Sequence, residues 1–257
     1  MGTILALKDV SFSYNSRTVL RNINIDISEG EVIGILGPNG SGKSTLLKLM
    51  DGILSPEKGK ILLKGKSITG YKRVEIARQI AMVGQEDHFR FPFSVSEVVL
   101  MGRFPYSESS RFEEKRDLDV AYHALKLTDT LHLAKRSIYE ISGGERQRVF
   151  LARAIAQEPA LILLDEITSF LDIKFKREIL ILLNSLKKEG ISLVIASHDI
   201  ELMARYCEKI VLLKNGNIFA MGKPEQVLTQ GNISRVYECP VYVDIDPMDS
   251  NIRITLK

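Results

Sequence analysis

The pattern of apolar and polar positions changes character twice along this chain. Thr3 to Tyr14 and Arg21 to Ile27 read as strands. In the second, Ile23, Ile25 and Ile27 alternate with polar neighbours, as in a half-buried antiparallel pair. Val32 to Leu36 is instead a continuous apolar run, suited to a strand covered on both faces, and Thr45 to Met50 continues as an apolar helix. Lys60 to Lys64 and Ile80 to Val83 add two short strands. Between Ser94 and Gln157 the character turns helical. Ser94-Val-Ser-Glu97 and Ser142-Gly-Gly-Glu145 are capping boxes, and Phe112 to Leu127 has helical spacing with many charges. The helix opened at Ser142 runs through Ala156 and halts before Pro159. Strands and helices then alternate again: Leu161 to Asp165, Asp172 to Lys188 closed by Gly190, and Ser192 to Ala196. Ile210 to Leu213 and Ile218 to Ala220 flank Asn215-Gly216, a hairpin turn. The tail from Pro224 to Lys257 reads as a short helix and a terminal hairpin around Asp249 to Asn251. The whole predicts an α/β sheet with a helical subdomain inserted, in one large domain.

One loop of this pattern carries chemistry. Gly37-Pro-Asn-Gly-Ser-Gly-Lys-Ser44 matches G-x-x-x-x-G-K-[ST] at every fixed position, between a strand and a helix as the motif requires. Gly37, Gly40 and Gly42 let backbone N–H groups turn inward around an anion, with Pro38, Asn39 and Ser41 between them, and the helix N-terminus beyond favours negative charge. Lys43 can reach the β- and γ-phosphates, and the Ser44 hydroxyl can hold Mg²⁺. The motif predicts binding of a nucleoside triphosphate.

Leu161-Ile-Leu-Leu164 ends abruptly in Asp165-Glu166, at the strand end where ligands of parallel sheets sit. Two adjacent carboxylates there can divide labour, Asp165 on the metal shell and Glu166 on an attacking water. In Ser142-Gly143-Gly144-Glu145, capping accounts for the serine and glutamate but not the glycines, each costing about 1 kcal/mol relative to Ala in a helix. Two glycines fit a place where a second backbone or a phosphate comes close.

Composition adds limits. With 45% hydrophobic and 26% charged residues, the 257-residue chain is an ordinary globular one. No apolar run approaches the ~20 residues that span a bilayer, and no secretory leader is expected. A net charge of +3, from 35 basic and 32 acidic residues spread throughout, argues against a nucleic-acid binder working through a basic footprint. Cys207 and Cys239 lie far apart, so neither a zinc site nor a disulfide framework is expected, and a reduced cytosolic setting is.

Ile141-Ser-Gly-Gly-Glu-Arg-Gln-Arg-Val149 resembles the signature sequence of ATP-binding cassette (ABC) proteins, lying between the two nucleotide motifs as in that family. The resemblance covers essentially the whole chain. It implies a P-loop NTPase (RecA-like) core formed by residues 1–86 and 160–257, with an N-terminal antiparallel β-subdomain and a helical signature subdomain at 87–159. By the same resemblance Tyr14 stacks on adenine, Thr45 continues the phosphate loop, and Gln85 is a metal and water ligand that senses the transport partner. Asp172 closes the D-loop Ser169-Phe-Leu-Asp172, and His198 is the switch histidine; His88, His123 and His132 read as structural. Ser142, Gly143, Gly144 and Glu145 meet the nucleotide of a second subunit in a head-to-tail homodimer holding two ATP and Mg²⁺. Ile141, Glu145, Gly84, Ile167 and Phe170 depart from the usual family residues without removing a group that touches phosphate, metal or water. Phe89 to Tyr106, rich in aromatics and expected at the surface, is similar to ATPase subunits of importers for iron–siderophore complexes, haem and cobalamin. It predicts a docking place, near Gln85 to Tyr106, for a separate transmembrane permease at the cytoplasmic face of a bacterial membrane, with an extracellular substrate-binding protein beyond it. A non-transport ABC ATPase acting on ribosomes or DNA and a phosphate-loop kinase are the competing readings.

Overall fold

The computed structural model describes residues 2–84, 91–106, 115–168, 172–247 and 251–257. Strands β1 (Thr3–Tyr14) and β2 (Arg17–Ser28) pair antiparallel around Asn15-Ser16, both at positive φ of 44° and 67°. β2 starts at Arg17, ahead of the isoleucine alternation, because its ladder runs on until Arg17 faces Tyr14. The buried strand β3 (Val32–Leu36) leads through the glycine-rich loop to α1 (Lys43–Met50). β4 (Lys58–Leu63) and β5 (Lys66–Ser67) complete a four-stranded sheet of order β2-β1-β4-β5. Then follow α2 (Arg73–Ala77), β6 (Ile80–Val83) and three helices, α3 (Val95–Leu100), α4 (Lys115–Leu127) and α5 (Gly143–Ala156). β7 (Leu161–Asp165), α6 (Ile173–Lys188), β8 (Ser192–Ala196), α7 (Ile200–Tyr206) and β9 (Lys209–Lys214) restore the alternation. β10 (Asn217–Gly222) turns back on β9, as expected. The tail holds two helices where one was expected, α8 (Pro224–Val227) and α9 (Gln230–Tyr237), because Thr229 caps a new start by accepting from Asn232 N. β11 (Val241–Ile245) and β12 (Ile252–Leu256) form the terminal hairpin.

The second sheet has the order β10-β9-β3-β8-β7-β6, parallel except for β10. Its pleat sorts the core. Ile33, Ile35, Leu161, Leu163, Val194, Val211 and Leu213 pack with α1 and the first sheet. Their neighbours Val32, Leu36, Ile162, Leu164, Leu193, Ile195 and Leu212 pack with the helices on the other face. Continuous apolar runs are the consequence of burial on both sides.

The helices α3, α4 and α5 pack on one another, and α5 also touches β6. The expectation of a surface position for the stretch ending at Tyr106 is overturned for part of it. Val95, Val98, Val99, Gly102, Arg103 and Pro105 are buried, leaving Phe91 and Phe104 exposed, while residues 85–90 lie outside the described ones. Gly102 is needed because a Cβ there would lie 2.2 Å from the Arg153 carbonyl oxygen. Arg103 is only 1% exposed, and its guanidinium is what joins the segment to its surroundings. Nε donates to Asp117 at 2.8 Å, and Nη1 donates to the Ala156 carbonyl at 2.7 Å and to Glu158 at 2.8 Å. The Tyr106 ring lies 4.0 Å from it.

Arg103→Ala leaves Asp117 as an unpaired buried charge and is expected to destabilise the fold by about 3–5 kcal/mol. Glu158→Ala, at the exposed arm, should cost under about 1 kcal/mol. Urea unfolding of the two variants checks the contrast.

Candidate nucleotide site

Strands β3, β7 and β8 end side by side, and the predicted site residues emerge from those ends. The phosphate loop is shaped by close backbone approach. A Cβ on Gly37 would stand 2.4 Å from the Leu213 carbonyl oxygen and 2.8 Å from Ser41 Oγ. One on Gly42, at φ 104°, would stand 2.7 Å from Leu20 Cδ2. No atom lies within 4 Å of such a position at Gly40, so that glycine faces open space beside the exposed Asn39. Pro38 turns the chain, its carbonyl accepting from Ser41 N at 3.1 Å.

Lys43 is buried and folds back on its own loop, donating to the Gly37 carbonyl at 2.9 Å and the Pro38 carbonyl at 3.4 Å. Burial lowers its pKa, against the pull of Glu166 and Asp165 nearby. Ser44 is exposed at the first turn of α1, followed by half-buried Thr45, and its hydroxyl lies beside the Asp165 carboxylate. Burial raises the Asp165 pKa, opposed by the neighbouring Ser44 hydroxyl and by Lys43. Asp165 Oδ1 and Ser41 Oγ are both buried with no hydrogen-bond partner among the described residues.

Glu166 follows directly in left-handed geometry, φ 54°, with its N–H donating to the Ala196 carbonyl of β8 at 2.9 Å. That bond carries it across to the next strand end, where its carboxylate lies 3.0 Å from His198 Nδ1. Ile167, where the family more often has proline, is buried in the helix-side core. Tyr14 is exposed at the end of β1, its ring edge-on to Phe12 at 4.8 Å. The partner strand of its hairpin carries Leu20 against Gly42, so the aromatic stands on the structure that touches the loop.

The signature segment belongs to another part of the molecule, where α5 packs with α3 and α4. Ser142 caps α5: its Oγ accepts from Glu145 N at 3.3 Å, while Glu145 accepts from Ser142 N at 2.8 Å. The Ser142 hydroxyl, donating to the Glu145 carboxylate at 2.7 Å, and then the Ser142 N–H hold that carboxyl below its usual range. The two glycines differ. A Cβ on Gly144 would lie 2.8 Å from the Phe175 ring of α6, whereas one on Gly143 would meet no other described residue within 4 Å. Arg148, one turn on, stacks over the same ring at 5.4 Å and pairs with Glu178 at 3.3 Å. Asp172 caps α6, accepting from Phe175 N at 2.9 Å. Gln85, His88 and the D-loop residues Ser169, Phe170 and Leu171 lie outside the described residues. Leu20, Leu213 and Phe175 escaped sequence reasoning, because contacts between remote segments leave no local spacing to read.

A family model described as ABC transporter matches residues 20–169, over half of the chain. An ABC transporter ATP-binding protein of Bacillus subtilis, uncharacterised in function, is 37% identical over 234 residues. That match spans 90% of this chain and 53% of the relative. A hemin import ATP-binding protein of Pseudomonas putida is 38% identical, over 95% of this chain and 96% of its own. A cobalamin import ATP-binding protein of Halobacterium salinarum is 37% identical, over 92% of this chain and 59% of its own. The chain thus spans little more than half the length of two of these relatives. Among solved structures, the ATPase of an inward-facing ABC transporter described as of metal-chelate type superposes with a TM-score of 0.87 at 32% identity, covering 100% of this chain and 97% of that one. A dimeric post-hydrolysis ATP-binding cassette holding ADP and phosphate gives 0.74 at 30% identity, covering 86% and 98%.

The raised Asp165 pKa has a consequence for stability. Its folded-state pKa lies above the unfolded one, so ionisation penalises the nucleotide-free fold; the penalty is absent at pH below the unfolded pKa and complete above the folded one. Asp165→Asn is therefore expected to raise the melting temperature without nucleotide at neutral pH, and to lose that advantage as pH falls through the carboxylate range. Thermal melts of both proteins across pH check the sign.

Proposed function

The chain belongs to the ABC transporter family as one of its ATP-hydrolysing cassettes, and from that premise we propose that it powers a membrane importer of iron–siderophore, haem, cobalamin or a similar metal chelate. The observation that carries the site assignment is the convergence of Lys43, Asp165, Glu166 and His198 on neighbouring strand ends. Residues 37–45 hold the triphosphate, with Tyr14 against the base. Lys43 leaves the Gly37 and Pro38 carbonyls to hold phosphate charge. Glu166 orients the attacking water and accepts its proton, and His198, 3.0 Å from that carboxylate, supports the γ-phosphate end.

The residues fit Mg²⁺. Ser44 and Asp165 are hard oxygen donors, and buried Asp165 Oδ1 has no partner of its own. Gln85 completes the donor set on the resemblance alone. When bound, the ion neutralises charge on the β- and γ-phosphates.

Ser142, Gly143 and Gly144, with Glu145 and Asp172 nearby, serve the nucleotide of a second copy of this chain. Gly143 supports that role: its surroundings are open, and none of the described residues of its own subunit demands a glycine there. Closure of the dimer on two ATP molecules, and reopening after hydrolysis, then drives transport. Permease docking is supported by a cleft of about 490 Å³ between β6 and the helical layer, whose lining includes Met82, Gly84, Met101 and exposed Phe104. The permease is proposed as a separate polypeptide. The cassette then lies at the cytoplasmic face of a bacterial membrane, touching neither the extracellular binding protein nor nucleic acid.

Glu166→Gln is expected to lower ATP turnover by about 10²–10⁴-fold and to hold an ATP-bound dimer visible by size-exclusion chromatography. A variant that stays monomeric with Mg-ATP, also with its permease, overturns the closure model. Affinity capture from membranes should recover a multi-helix permease; recovery of ribosomal proteins or DNA in its place overturns the transport reading.

A further inference from the structure

Among the described residues, four buried side-chain polar atoms have no hydrogen-bond partner, and three of them belong to the surroundings of the phosphate loop. Ser41 Oγ is in the loop and Asp165 Oδ1 belongs to a metal ligand proposed above. The third is Tyr237 Oη, from the last turn of α9, far away in sequence and matching no nucleotide motif. Orphaned buried polar atoms are rare and call for a physical reason.

Tyr237 faces the backbone N–H of Gly37, the first residue of the loop, although the two do not close a well-formed hydrogen bond. Burial pushes the phenol up to about 12, so it is a neutral hydroxyl at any working pH. Its position is held from several sides. Lys214, at the end of β9, donates to the Arg235 carbonyl at 2.5 Å and pairs with Glu238 at 2.9 Å, pinning the end of α9 beside the strand whose Leu213 carbonyl abuts Gly37. The terminal hairpin is tied in turn to α7, which begins just past His198, by Ile254 N donating to Glu201 at 2.8 Å.

Gly37 therefore has its carbonyl taken by Lys43 and its N–H turned toward an acceptor that it does not fully reach. The carbonyl lies in the Gly37–Pro38 peptide and the N–H in the Leu36–Gly37 peptide, so drawing the Lys43 ammonium off the carbonyl leaves Gly37 free to turn about its own φ and ψ. We propose that Tyr237 is a positioning residue for nucleotide binding, its hydroxyl accepting the Gly37 N–H when the loop closes on phosphate. The C-terminal segment thereby becomes part of the ATP site of its own subunit. This rests on reading residues 37–44 as the phosphate cradle.

The test is Tyr237→Phe in the full chain, which keeps the ring and removes one oxygen. A neutral hydrogen bond formed only in the bound state corresponds to about 2–10-fold in affinity. The variant should bind ATP that much more weakly, raise KM with kcat within about twofold, and melt without nucleotide at the wild-type temperature or above, since an orphaned polar atom is gone. Hydrogen exchange at the Gly37 amide should slow on ATP binding in the wild type and not in the variant. Unchanged ATP affinity overturns the proposal, and so does weaker binding accompanied by a lower nucleotide-free melting temperature, which marks Tyr237 as packing. Failure of the wild type itself to bind ATP is a separate result, one that removes the cradle reading instead.

Discussion

A parallel sheet buried on both faces can present its backbone only at its strand ends, and that constraint decides where chemistry can occur in this protein. β3, Leu161–Leu164 of β7 and Leu193–Ala196 of β8 are apolar because each face is covered, one by α1 and the first sheet, the other by helices. Polar groups appear at the residue where each apolar run stops. Gly37, Asp165 and Ser197-His198 all occupy it, which is why groups more than 100 positions apart in the chain share one site. Glu166 goes one residue further and takes a left-handed backbone that costs a non-glycine residue about 1–3 kcal/mol, held there by its bond to Ala196.

The same cover makes the site electrostatically uneasy without a ligand. Burial lowers the Lys43 pKa and raises that of Asp165, so both charges are disfavoured despite lying near each other. Lys43 makes do with two carbonyls of its own loop. A site that were fully satisfied by its own side chains would gain little from taking in a phosphate and a cation. Stability of the nucleotide-free fold and affinity for nucleotide pull in opposite directions here.

Much of this was legible in the sequence wherever a feature is local. The strand ends at Leu36, Asp165 and Ala196, the caps at Ser94 and Ser142 and the Asn215-Gly216 hairpin are each announced within a few residues. The phosphate loop is legible because its glycines are dictated by backbone geometry at fixed offsets. What was not legible lies in contacts between distant segments. Arg103 looked like a surface cation, and only folding shows Asp117 and the Ala156 carbonyl enclosing it. The glycines of the signature looked alike, and only the position of Phe175 separates them. Burial by a remote element leaves no period in the sequence to count.

That separation bears on how the two glycines can change through descent. Position 144 answers to position 175 of the same chain: a lineage that shrinks the aromatic ring opens room for a methyl group, and one that keeps the ring has no such freedom. The contact couples the two positions. Position 143 has no such companion among the described residues, so nothing described in its own fold asks for a glycine there. Two adjacent, identical residues thus answer to different constraints, one to an aromatic ring of its own chain and the other to nothing among the described residues.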